Sequence, residues 1–187
     1  SILWTAFPVI GNEGNIAGDS GSDGKLRVPS TRTIIQDGNT YIWRAEAFDA
    51  YARPTKIMKS NSVTGQVPVE EQISYLNDTS LWVIGLPSQI ENLTSNEIID
   101  RYAYSVNDLV IDWWHFEHHQ MSYTHDALGQ LYTTKDENGN ETKYSDYKLG
   151  IPQRVDYPDA THQTAVVNGL GQVVSITDQV GNVTLYQ

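Results

Sequence analysis

The densest chemistry in the chain lies in Asp112-Trp113-Trp114-His115-Phe116-Glu117-His118-His119-Gln120. Read as one continuous strand, this segment places Trp113, His115, Glu117 and His119 on one face, with Trp114 and Phe116 on the other. Alternating imidazole and carboxylate groups could hold zinc or another divalent ion with open positions. The plainer reading is a two-sided strand with Trp114 and Phe116 in the core and no metal bound. Gly18-Asp19-Ser20-Gly21 matches the surroundings of a serine-protease nucleophile. In that fold, however, the histidine base precedes the serine, whereas all five histidines here follow it. Asp19 and Asp23 could take calcium, but their spacing is not that of an EF-hand loop, which favours a solvated turn. Trp113, Tyr144, Tyr147 and Tyr157 could offer flat faces to sugar rings, with Asp and Asn nearby to bond hydroxyls. Cross-strand core pairing is the competing role for these rings. The residues thus predict no catalytic group, no metal site and no cofactor.

The elements that would carry these side chains announce themselves through a recurring turn. Asp126-Ala127-Leu128-Gly129, Asp136-Glu137-Asn138-Gly139, Asn168-Gly169-Leu170-Gly171 and Asp178-Gln179-Val180-Gly181 each set an acidic or amide residue three positions before glycine. Asp or Asn bonds its own backbone two residues on, and Gly accepts the positive φ that other residues resist. Between the turns the pattern has period two: Val174 and Ile176 oppose Val173, Ser175 and Thr177. Residues 121 to 187 therefore read as strand, turn, strand throughout, with turns near 127–129, 138–140, 169–171 and 179–181. Asp37-Gly38-Asn39, between two apolar runs, is a hairpin signal and marks the start of the repeat sheet. Residues 1–32, with their Gly, Ser and Asp, read as a flexible segment, and 33–187 as the sheet. Asp78 to Val83 suggests a short helical turn capped by Asp78 or Asn77.

Tyr123-Thr124-His125-Asp126-Ala127-Leu128-Gly129-Gln130-Leu131, followed by Asp136-Glu137-Asn138-Gly139-Asn140, resembles the tyrosine-aspartate (YD) repeat of the rearrangement hotspot (RHS) family. Phe48-Asp49-Ala50-Tyr51-Ala52-Arg53-Pro54, Tyr75 to Gly85 and Gly150 to Asp159 resemble it too, so that the likeness covers about residues 33 to 187. Phe48 replaces Tyr, and Ala52 stands where glycine is usual, which leaves open whether the strict turn forms at Tyr51 to Arg53. The family occurs in bacterial polymorphic toxins and toxin-complex shell proteins. The resemblance implies an all-β antiparallel meander, a strip of a large shell that encloses a C-terminal toxin domain of the same polypeptide. It also implies export, to a secreted or cell-surface location, and a structural, non-enzymatic role. The family's self-cleavage motif, an aspartate before proline and glycine, is not seen in these 187 residues. The alternative is a repeat module that binds a cell-surface glycan or a receptor.

Composition agrees with a β-rich chain: eleven Tyr and five Trp favour strands. The absence of cysteine excludes a disulfide framework or a zinc-thiolate site. Twenty-three acidic residues against twelve basic ones, a net charge of −11, disfavour nucleic-acid partners, which need clustered Lys and Arg. An acidic surface serves solubility or could hold a basic cargo. Apolar runs such as Trp82 to Leu86 are too short to span a bilayer. The first residue is not Met and no basic-then-apolar leader follows it, which reads as a mature chain or a fragment of a longer protein.

Overall fold

A computed structural model of the chain describes the backbone of residues 2–8 and 25–186, and the side chains of residue 2 and residues 28–186. The segment carrying Asp19, Ser20 and Asp23 lies outside the described residues. The fold is all-β, and the chain divides into two compact units between Arg101 and Tyr102. The first unit runs through β1 (Ile2–Pro8), β2 (Lys25–Gln36), β3 (Asn39–Phe48), β4 (Pro54–Asn61), β5 (Val69–Asp78), β6 (Val83–Asn92) and most of β7 (Glu97–Tyr104). The second holds β8 (Val110–His115), β9 (His118–His125), β10 (Leu131–Asp136), β11 (Glu141–Ser145), β12 (Arg154–Asp156), β13 (His162–Val167), β14 (Val173–Thr177) and β15 (Val183–Leu185). Within each unit every strand pairs antiparallel with the next in sequence, which is a meander.

Strand structure begins upstream of residue 33, because β1 pairs with β2 from Lys25 to Arg32. Pro29, which has no N–H to give a ladder, lies opposite Trp4 where the register shifts between Leu3 and Trp4. The Asp37-Gly38 hairpin forms as the sequence predicts, both residues having positive φ (49° and 76°), the two-residue turn whose twist suits the flanking strands. Asp78 to Val83 makes a hairpin loop rather than a helix. Asp78 Oδ1 accepts the amides of Ser80 and Leu81 as a helix cap would, but Trp82 turns left-handed (φ 56°) and sends the chain back into β6.

Burial is thin on both sides of the strands. Among the described residues the buried hydrophobics are Ala45, Ala52, Ile57 and Val167, and of the larger side chains only Val167 is almost wholly enclosed. Most strand positions are half-buried on both faces, the expected state of a sheet that no second layer covers within its own unit. Stability in such a sheet rests on cross-strand pairs and on the turns.

Candidate functional site

The Asp/Asn-x-x-Gly turn has one geometry wherever the sequence places it. Asp126 donates its N–H to Gln130 O (2.8 Å), and its own O accepts from Gly129 N (3.0 Å), where φ is 78°. Its carboxylate Oδ1 then accepts the amides of Leu128 (2.8 Å) and Gln130 (2.9 Å). Asp136 and Gly139, Asn168 and Gly171, and Asp178 and Gly181 repeat this pattern. One oxygen spanning two amides explains why Asp and Asn are interchangeable here. The Asn140 side-chain amide, together with backbone amides, holds the Asp136 carboxyl below its usual range, and Asn182 does the same for Asp178.

The same turn forms where its sequence signature is broken. At Asp49–Arg53 the carboxylate accepts the amides of Tyr51 and Arg53, and Ala52 takes the glycine position at φ 61°. The strict turn that the sequence left open at Tyr51 to Arg53 is therefore formed, with Ala52 in the glycine place. At Ser105–Leu109 a hydroxyl replaces the carboxylate, at longer distances (3.2 and 3.3 Å), with Asp108 left-handed. At Tyr157–Thr161 the backbone bonds persist with Ala160 left-handed, and Asp159 bonds Thr161 instead.

The Asp49 turn anchors a larger cluster. The Arg53 guanidinium pairs with Asp49 Oδ2, donates to Asn77 Oδ1 (2.9 Å) and lies over the rings of Tyr75 (4.4 Å) and Tyr51 (5.0 Å). Burial pushes the Asp49 carboxyl up, but the bonds from Arg53 and the amides of Arg53 and Tyr51 outweigh it and leave it below the usual range. Gly85 donates its N–H to Asn77 Oδ1, and a Cβ there would collide with Arg53 Nη1. Nη1 is buried with no hydrogen-bond partner among the described residues. This cluster ties β3, β4, β5 and β6 together.

The aromatic and histidine segment departs from its expected form. Instead of one strand through Gln120, the chain reverses at Phe116-Glu117, both left-handed (φ 47° and 63°), and His115 pairs with His118. Phe116 is half exposed at the tip rather than in a core, and Trp114 is only partly buried. Trp113 and His115 do share a face, with rings 6.2 Å apart, but His119 does not join them. A register shift between Trp113 and Trp114 places His119 opposite Trp114, their rings 5.5 Å apart and edge-on. The single face of Trp113, His115, Glu117 and His119 is not formed, because a turn lacking glycine carries no signal that would locate it. No three His, Asp or Glu side chains come together as metal ligands among the described residues.

What β8 and β9 do assemble is a triangle of Asp112, His119 and Ser122. Asp112 Oδ1 accepts from Ser122 Oγ (2.7 Å) and lies 3.0 Å from His119 Nε2, itself 3.1 Å from Ser122 Oγ. A nucleophilic triad needs the carboxylate on one ring nitrogen and the hydroxyl on the other. Here both meet Nε2, so the triangle is not that arrangement, and its bonds link β8 to β9. Sequence reading missed Asp112 and Ser122, which become neighbours only once the hairpin is known.

The first unit also carries a groove of about 810 Å³. Its floor follows the cross-strand row Arg32, Trp43, Lys59 and Val69, with Tyr41 and Asn61 on the next row. Lys59 Nζ bonds both oxygens of the buried Glu71 (2.6 and 2.8 Å), which satisfies the carboxylate inside this apolar lining.

No protein-family model and no curated protein sequence matches the chain. Solved structures do. One is the pore of the Photorhabdus luminescens Tc holotoxin carrying a TccC3 mutation, with a TM-score of 0.54 at 15% identity over 82% of this chain and 9% of that one. The crystal structure of TcdB2–TccC3 matches with a TM-score of 0.54 at 15% identity, over 81% of this chain and 9% of that one. That of TcdB2–TccC3 with Cdc42 matches with a TM-score of 0.54 at 14% identity, again over 81% and 9%. The chain therefore has the fold of a short stretch of these toxin-complex chains, the class of protein that the repeat resemblance points to.

Proposed function

We propose that the chain is a non-catalytic wall segment of an RHS-type shell, exported from a bacterium, that encloses and helps deliver a C-terminal toxin domain of the same polypeptide. The observation that carries this reading is the meander built in strict chain order from one repeated turn, whose half-buried faces call for neighbours beyond the strands themselves. Its partners are then further repeats and the enclosed domain. Among the described residues no helix is long and apolar enough to cross a membrane. The test is limited proteolysis of the full polypeptide containing this segment. The C-terminal domain should resist cleavage until the repeats are unfolded, and cleavage at the rate of the isolated domain refutes enclosure.

A second reading, a glycan- or receptor-binding module, draws on the groove of the first unit, where Tyr41 and Trp43 stand beside Asn61 and Ser60. It expects saturable binding on a glycan array that Trp43→Ala removes, and an array with no signal retires it.

A further inference from the structure

Asparagine followed by glycine is the pair most open to attack by the chain's own backbone, because asparagine is labile and glycine has no side chain to shield its nitrogen. The sequence holds two such pairs, Asn138-Gly139 and Asn168-Gly169. Both lie in the repeated turn, but at different places in it, and the fold treats their side chains differently. Asn168 is the first residue of its turn. Its carboxamide is tied at both ends: Oδ1 accepts the amides of Leu170 (2.9 Å) and Gln172 (3.0 Å), and Nδ2 donates to Gln172 Oε1 (2.9 Å). Asn138 is the third residue of its turn. Asp136 supplies the capping oxygen there, so the Asn138 carboxamide is exposed and has no hydrogen-bond partner among the described residues. What opposes reaction at this pair is the bond from Gly139 N–H to Asp136 O (3.0 Å).

We propose that Asn138 is a site of spontaneous deamidation, a modification that the fold directs to this Asn-Gly pair and away from the other. The Gly139 amide nitrogen gives its proton to solvent and bonds to Asn138 Cγ. The Cγ–Nδ2 bond breaks, ammonia leaves, and a cyclic succinimide closes. Water then opens the ring at either carbonyl, yielding aspartate in one case and, in the other, isoaspartate, whose backbone runs through the side-chain carbon. Either product adds a negative charge beside Asp136 and Glu137, on a chain already at −11. The aspartate form costs the turn no hydrogen bond, since the Asn138 side chain makes none. The isoaspartate form lengthens the backbone inside the rings closed by Gly139 N to Asp136 O and by Asn140 N to Asp136 Oδ1. It therefore opens the turn that sets Lys135 opposite Glu141 between β10 and β11. The inference rests on neither function proposed above.

Peptide mapping by mass spectrometry tests it, on the whole chain incubated for weeks at neutral pH and body temperature, beside a sample held unfolded in urea. In the folded chain Asn138 should convert to aspartate and isoaspartate about tenfold faster than Asn168. That ratio is about 1.4 kcal/mol of barrier, within what the additional bonds on the Asn168 carboxamide supply. In urea, where neither turn exists, the two sites should convert at closely similar rates. Equal rates in the folded chain, protection of Asn138 as complete as that of Asn168, or the same bias persisting in urea each overturns the proposal. Faster conversion at Asn168 overturns it as well, and would mean that the Leu170 and Gln172 amides stabilise the oxyanion developing on Oδ1.

Discussion

Phe116 and Glu117 hold the least favourable backbone of the second unit, two bulky left-handed residues in a turn that asparagine and glycine suit best. Ring contacts offset part of that cost: Phe116 lies edge-on to His115 at 4.4 Å. Left-handed geometry costs about 1–2 kcal/mol for an ordinary residue. Phe116→Asn/Glu117→Gly should therefore raise stability by about 1–2 kcal/mol in chemical denaturation, and a loss would mean that the Phe116 ring contacts dominate. The turn carboxylates make a second residue-scale case. Because the folded state lowers the Asp136 and Asp178 pKa, the stability they contribute is present above the carboxyl's ordinary value near 4 and is lost as pH falls through the lowered one. Asn168 shows that an amide oxygen can span the same two amides. Asp136→Asn/Asp178→Asn should fold at pH 7 and lose less melting temperature between pH 7 and pH 3 than the native chain. Equal acid loss in both would show that these bonds contribute nothing.

At the scale of the element, the five-residue turn separates what glycine supplies from what position supplies. Alanine sits at the left-handed position in two turns, at Ala52 and at Ala160. Ala160 is exposed, so Ala160→Gly removes strain and little else, for a gain of up to about 1 kcal/mol. Ala52 is buried beside the Arg53 cluster, and Ala52→Gly also strips a packed methyl worth about 0.8 kcal/mol, leaving a change near zero. Paired melting curves check the difference, and equal gains at both sites would mean that the burial of Ala52 is immaterial. The Arg53 cluster belongs to this scale as well. A planar fork held between Asp49 and Asn77 and stacked on Tyr75 has no equivalent in lysine, and Gly85 leaves the room for it.

At the scale of the whole molecule, a meander in which each described strand of a unit pairs by backbone hydrogen bonds with its sequence neighbours behaves much as a one-dimensional array, so damage should stay local. Gly171→Ala strains a left-handed position by about 1 kcal/mol while its Cβ meets Leu149 at ordinary contact distance. Hydrogen exchange should then quicken in β13 to β15 and remain unchanged in β2 to β5. A uniform rise through both units would show global cooperativity and contradict the array.

The sequence by itself determined the all-β class, the period-two strands, the Asp37-Gly38 hairpin and the Asp/Asn-x-x-Gly turns, because each depends on residues within a few positions of one another. An oxygen two residues before an amide and a glycine tolerant of positive φ are local chemistry, and they act wherever they occur. The turns at Asp49, Ser105 and Tyr157 were harder to read, because alanine or aspartate stands in the left-handed place and the neighbouring strands hold it there. Tertiary structure alone decided that Phe116-Glu117 is a turn, that Asp112, His119 and Ser122 meet, and that Arg53 reaches Asn77. These outcomes depend on strand register, and a shift of a single residue moves every side chain to the opposite face, so no local pattern could have announced them.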